Sequence, residues 1–90
     1  MYAALVTLTI APDQAPAAAN ALVDDILPQV RSAPGFVTGY WLEPADDQAF
    51  SLVLFETERQ ARDAVPPATS WDAPGVTITG TEVRRVAVTA

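Results

Sequence analysis

Histidine, cysteine and lysine are all missing from this chain. Without histidine there is no general base of the usual kind near neutral pH, no usual haem ligand and no usual neutral metal ligand. Without cysteine there is no disulfide framework, thiol nucleophile or thiolate metal site, a usage that fits a cytoplasmic protein. Five arginines face eleven acidic residues, for a net charge of −6. A surface of that sign repels phosphate backbones and anionic lipids, so neither nucleic acid nor a membrane is an expected partner. Long hydrophobic runs are missing as well: nothing approaches the roughly 20 apolar residues that span a bilayer. The opening Met1-Tyr2-Ala3-Ala4-Leu5 lacks the basic region that begins a secretory signal. No Gly-rich phosphate loop, Ser-His-Asp set or metal-ligand spacing is present, so the residues call for no cofactor and no metal.

What is present is apolar surface. Hydrophobic residues make up 50% of a 90-residue chain, ample for the core of the single domain expected over residues 1–90. The eight prolines and the alanine-rich patches suggest a GC-rich bacterial genome. Residues 50–57 read Phe-Ser-Leu-Val-Leu-Phe-Glu-Thr. In a strand, Phe50, Leu52 and Leu54 point one way and Val53 and Phe55 the other. An antiparallel strand with one wet face alternates apolar and polar residues, and this one does not. Both of its faces need cover. Residues 2–10 behave alike, with Ala4, Val6, Leu8 and Ile10 on one face and Ala3, Leu5, Thr7 and Thr9 on the other.

Between and around these strands the chain reads in order. Asp13 is a helix cap after the turn at Ala11 and Pro12, and the first helix runs to about Arg31. Its apolar stripe is Ala18, Leu22, Ile26 and Val30, flanked by Ala19, Val23 and Leu27. Pro28 inside it removes a backbone bond and opposes the carbonyl of Asp24, which predicts a kink or a last turn of different geometry. Residues 36–43 form the second strand, with Phe36, Tyr40 and Leu42 on one face and Val37 and Trp41 on the other. Gly39 marks a bulge or a close approach. A polar turn at 44–47 makes a hairpin with the third strand, residues 48–56. Thr57-Glu58-Arg59-Gln60 matches a capping box and opens a short second helix with Ala61, Ala64 and Val65 on its buried side. Pro66-Pro67 ends it, residues 66–75 form a proline-rich loop around Trp71, and residues 76–89 form the last strand, divided at Gly80.

Strand, helix, strand, strand, helix, strand is the order of an α+β, ferredoxin-like βαββαβ domain, with a four-stranded antiparallel sheet ordered 4-1-3-2 and both helices on one face. Its central strands, the first and third, are the two with apolar faces on both sides. The expected cover for the second face is another copy of the chain, a homodimer packed sheet to sheet.

The segments Ala33-Pro34-Gly35-Phe36 and 50–61 give the chain a resemblance to the dimeric α+β barrels of the antibiotic-biosynthesis-monooxygenase type. The resemblance covers nearly the whole chain, although its motifs are short and mostly structural. It implies two open sheets facing each other, with a ligand held between or beneath them. Active relatives oxidise aromatic or polyketide-like compounds without metal or flavin, an apolar pocket holding the substrate while polar side chains position it. The chain departs from that pattern at the end of the second helix, where relatives often carry a histidine and this sequence has Asp63, Ala64 and Val65.

Two functions follow as expectations: a small barrel that binds an apolar or aromatic ligand, or a cofactor-independent monooxygenase. No residue is assigned a catalytic role. Candidate pocket residues are Tyr40, Trp41, Trp71, Arg84, Arg85, Thr7, Thr9 and Ser51. Tyr40 and Trp41 are strand neighbours and point to opposite faces, so each is either a pocket wall or part of the core or dimer interface. Trp71 is a lid or simple packing in its loop. One of Arg84 and Arg85 faces inward, to hold a carboxylate or phenolate or to pair with Glu82, Glu43 or Glu56. The hydroxyls of Thr7, Thr9 and Ser51 orient a ligand or bond to backbone. The pairs Asp24-Asp25 and Asp46-Asp47 lie on a helix and a turn, where neighbours do not converge for acid–base work.

Overall fold

The computed structural model describes residues 1–64 and 75–90. It is a mixed α+β structure in which strands β1 (Tyr2–Ile10), β2 (Phe36–Trp41), β3 (Gln48–Phe55) and β4 (Val76–Arg85) form one four-stranded sheet ordered β2-β3-β1-β4. Every neighbouring pair is antiparallel. The two strands that carry apolar residues on both faces are therefore the central pair. The proline-rich loop, Val65 and Trp71 fall outside the described residues.

Among the described residues, the sheet has one covered face and one bare face. Ala4, Val6 and Leu8 of β1 stand opposite Val53, Ser51 and Ala49 of β3, and all six are buried. Helix α3 (Glu58–Ala64) closes one end of this face, where Ala61 at 0% exposure and Phe55 at 1% anchor a cluster with Ala4 and Val53. Phe36 meets Phe55 edge to face, with ring centroids 6.4 Å apart. A second cluster, Val6, Leu8, Ala49 and Ile78, fills the other end. On the bare face, Leu5 pairs with Leu52 and Ala3 with Leu54, while Phe50 and Tyr40 are 47% and 57% exposed.

The junction between β2 and α3 is built by the capping box. Thr57 and Gln60 exchange hydrogen bonds as the motif requires: the Gln60 amide donates to Thr57 Oγ1 and the Thr57 amide donates to Gln60 Oε1, both at 3.2 Å. Gly35, at φ +77°, sits directly under the Gln60 side chain, and its carbonyl accepts the Glu56 amide at 3.0 Å. At the other end of the hairpin, Asp46 and Asp47 both take positive φ, 53° and 64°, and Ala45 and Gln48 exchange two backbone hydrogen bonds. Two left-handed residues in a two-residue connection match the twist of the flanking strands.

Four local expectations are corrected. Asp13 does not cap the first helix: it lies inside a 3-10 turn, Pro12–Gln14, and no side-chain cap bond forms there. Phe36 does not share a face with Tyr40. A register shift between Phe36 and Thr38 makes Val37 the extra residue, so Phe36 turns to the covered face with Trp41. β4 is one strand ending at Arg85 rather than two pieces reaching Thr89, because its partner β1 begins at Tyr2. The irregularity near Gly80 is a bulge within it, where Thr79 Oγ1 donates to the Thr7 carbonyl at 3.1 Å.

The fourth concerns Pro28. Helix α1 (Ala15–Ala21) passes into a π turn (Leu22–Ile26) and then into α2 (Leu27–Arg31), with helical backbone throughout. The altered geometry thus precedes the proline. Within the π turn the Leu27 amide reaches the Leu22 carbonyl, five residues back. The stripe explains the position. Four residues of α-helix turn through about 400°, so a period of four overshoots by roughly 40° at each repeat. A wider π turn takes that drift back, keeping Ala18, Leu22 and Ile26 toward the sheet while Val23 is left 61% exposed.

Candidate functional site

A cavity of about 410 Å³ lies between the first helix and the covered face of the sheet. Its floor is Leu8 and Ile10 of β1, Ala49 and Ser51 of β3, Trp41 of β2 and Val76 of β4. Its roof is Ala15, Ala18 and Ala19 of α1 with Leu22 and Ile26 of the π turn. Phe50, Leu42, Glu43 and Pro44 line the side where β2 ends. Small residues line both sides of the space, Ala15, Ala18 and Ala19 on the helix and Ala49 on the sheet.

Within this apolar lining, polar groups are few. Ser51 is the buried polar residue among the described residues, 3% exposed. Trp41 stands directly across from it in the β2–β3 register, so both side chains leave the sheet on the same face with Cβ atoms about 5 Å apart. The Trp41 ring lies across Gly39. A Cβ at position 39 would come within 2.7 Å of the ring, so the glycine is the close approach expected of it. Trp41 Nε1 is buried and has no hydrogen-bond partner, unlike any other side-chain nitrogen or oxygen buried among the described residues. Among the described residues, Glu43 is the charged one of the lining.

The sequence candidates separate into three places. Trp41 and Ser51 come together at the cavity floor. Thr7, Thr9, Tyr40 and Arg84 belong to the bare face, by their register opposite Phe50, Gln48, Leu52 and Ala3. Arg84 Nε and Nη2 both bond Glu82 Oε1 at 2.6 Å, which is the salt-bridge alternative for that residue. Arg85 pairs in register with Tyr2 at the far end of β4 and is exposed. Neither arginine lines the cavity. Trp71 lies outside the described residues. Tyr40 and Trp41 do point to opposite faces.

The roof was missing from the sequence reading. The signal for it was the run of alanines in 15–21, which marks a helix face too small to fill the gap over another alanine. Among the described residues no group of three or more acidic side chains gathers at one point, and no helix is long and apolar enough to cross a membrane.

No match emerges from comparison with family models, curated proteins or solved structures. Function therefore rests on the geometry of the chain itself.

Proposed function

We propose that this chain is a small-molecule-binding protein of ferredoxin-like build, holding an apolar or aromatic ligand between its first helix and its sheet. The observation that carries this reading is the cavity. Small-molecule sites are concave, mostly apolar spaces of roughly 300–1,000 Å³ with a few placed polar groups, and 410 Å³ over Trp41 and Ser51 meets each condition. The strand order, the helices on one face and the bare opposite face also support kinship of architecture with the dimeric α+β barrels that the sequence resembles.

The same reading has the protein working as a homodimer through its bare sheet face. A face of four strands about nine residues long measures on the order of 600 Å² in projection, comparable with the roughly 800 Å² per partner of a stable interface. The monooxygenase alternative asks an arginine to hold an ionised oxygen. With Arg84 and Arg85 both away from the cavity, that role has no candidate there.

The test is titration with N-phenyl-1-naphthylamine, a neutral dye that brightens in apolar sites. Saturable enhancement is expected for the parent, and loss of it for Ala18→Phe, which fills the cavity roof. A parent protein that gives no enhancement overturns the reading.

A further inference from the structure

We infer that the ligand is an amphipathic cation, an apolar body seated in the cavity with a protonated amine left in water at its open side. This rests on the binding role of the cavity and names the class of molecule it takes.

The lining gives the first half of the argument. Leu42, Glu43, Pro44 and Phe50 border the cavity where β2 ends, and all four are exposed. A ligand that enters there keeps its polar end in water and avoids the cost of burying a charge. Among the described residues no basic side chain lines the cavity, and the charged residue at this side is an acid.

The distribution of charge over the molecule gives the second half. All five arginines sit at the end of the sheet away from the opening. Arg31 follows Val30, Arg59 and Arg62 flank Ala61, and Arg84 and Arg85 follow Val83, and these three apolar residues pack in the cluster around Phe55. Three of the arginines are already paired, with Asp63, Glu58 and Glu82. The acids around the cavity have no such partners. Asp46 and Asp47 follow its wall at Glu43 and Pro44, and the Ile10 amide of the floor donates to the Asp47 carbonyl at 2.8 Å. Asp13 lies two residues before Ala15 of the roof, and Asp24 and Asp25 lie in the π turn beside Ile26. All of these acids are exposed, and no arginine reaches any of them. Charges separated in this way set up a field that draws cations toward the opening and turns anions away. The attraction needs no direct contact, only an ammonium within about a Debye length of the acids, roughly 10 Å at 0.1 M salt.

Calorimetric titration with three matched naphthalenes separates the outcomes: 4-(2-naphthyl)butan-1-amine, 4-(2-naphthyl)butan-1-ol and 4-(2-naphthyl)butanoate. In dilute buffer the amine should bind about 5-fold tighter than the alcohol, and the carboxylate about 5-fold more weakly than the alcohol. Salt at about 0.5 M should bring both ratios within about 2-fold of one while the alcohol is held. Glu43→Gln combined with Asp46→Asn and Asp47→Asn should cut the amine-to-alcohol ratio by about 3-fold, with alcohol affinity kept within about 2-fold. Glu56→Gln, at the arginine end, should leave the ratio unchanged. Equal binding of amine and alcohol by the parent in dilute buffer, or a preference that salt does not weaken, overturns the cation assignment and leaves the cavity as a binding site. A ratio that survives the triple substitution, or falls equally in Glu56→Gln, overturns it in the same way. Failure of all three compounds to bind the parent removes the binding site and this inference together.

Discussion

At the scale of single residues, the junction under α3 depends on Gly35. It combines a left-handed backbone with contact so close that an added Cβ would fall inside the Gln60 amide. Gly35→Ala therefore meets two penalties, the left-handed strain of an L-residue, about 1–2 kcal/mol, and displacement of the Gln60 cap, about 1 kcal/mol more. Urea denaturation should show a loss of about 2–3 kcal/mol, and a change under about 0.5 kcal/mol would mean that the cap contributes nothing. Thr57→Ala, which removes one side of the cap alone, should lose only about 1 kcal/mol. The capping box could be read in the sequence because all of its chemistry lies within four consecutive residues. The seat of Gln60 on Gly35 could not, because it joins positions 25 apart through a fold not yet formed.

At the scale of elements, the first helix shows where local reading stops. The apolar stripe of Ala18, Leu22, Ile26 and Val30 was legible, and so was the conflict at Pro28. What the sequence reading did not extract was the meaning of a strict period of four, which a plain α-helix cannot keep aligned over three repeats. A π turn is an α-helix carrying one extra residue. Removing the exposed Asp24 together with Pro28→Ala should restore a regular helix and leave its flanks on their original faces. That variant should fold with a stability within about 1 kcal/mol of the parent. Deleting Asn20, equally exposed but within α1, rotates the preceding alanines by about 100° relative to the sheet. It should lose more than about 2 kcal/mol. Matching losses for the two deletions in urea titrations would show that the π turn is not an accommodated insertion. The β2 bulge at Val37 was hidden for a similar reason. It depends on register against β3, which strand-by-strand alternation does not contain.

At the scale of the whole molecule, the strand order and the central place of β1 and β3 were legible because polarity and connectivity agree. Central strands carry apolar residues on both faces, and the charged Glu82 and Arg84 fall on an edge. The cavity was not legible in that way. It brings Ala18 and Ala49, 31 positions apart, into one lining, and the pocket candidates scattered to both sides of the sheet because alternation alone does not say which face the helices take. Sheet-to-sheet pairing gives the prediction for this scale. Light scattering at micromolar concentration should give twice the 9.5 kDa chain mass for the parent. Leu52→Glu, at the centre of the bare face between Leu5 and Tyr40, should give the single-chain mass while circular dichroism stays unchanged. A parent that scatters as a monomer removes the dimer.

Phe50 and Leu42 have a double position. Both border the cavity, and both are among the large apolar residues exposed to solvent. If a second copy seats on the bare face as proposed, it covers exposed residues that also border the cavity. Filling the cavity and pairing the chains would then be linked equilibria: whatever factor ligand contributed to association, association would have to return to ligand affinity. Measured affinities would depend on protein concentration, and dilution itself would act as a signal for release.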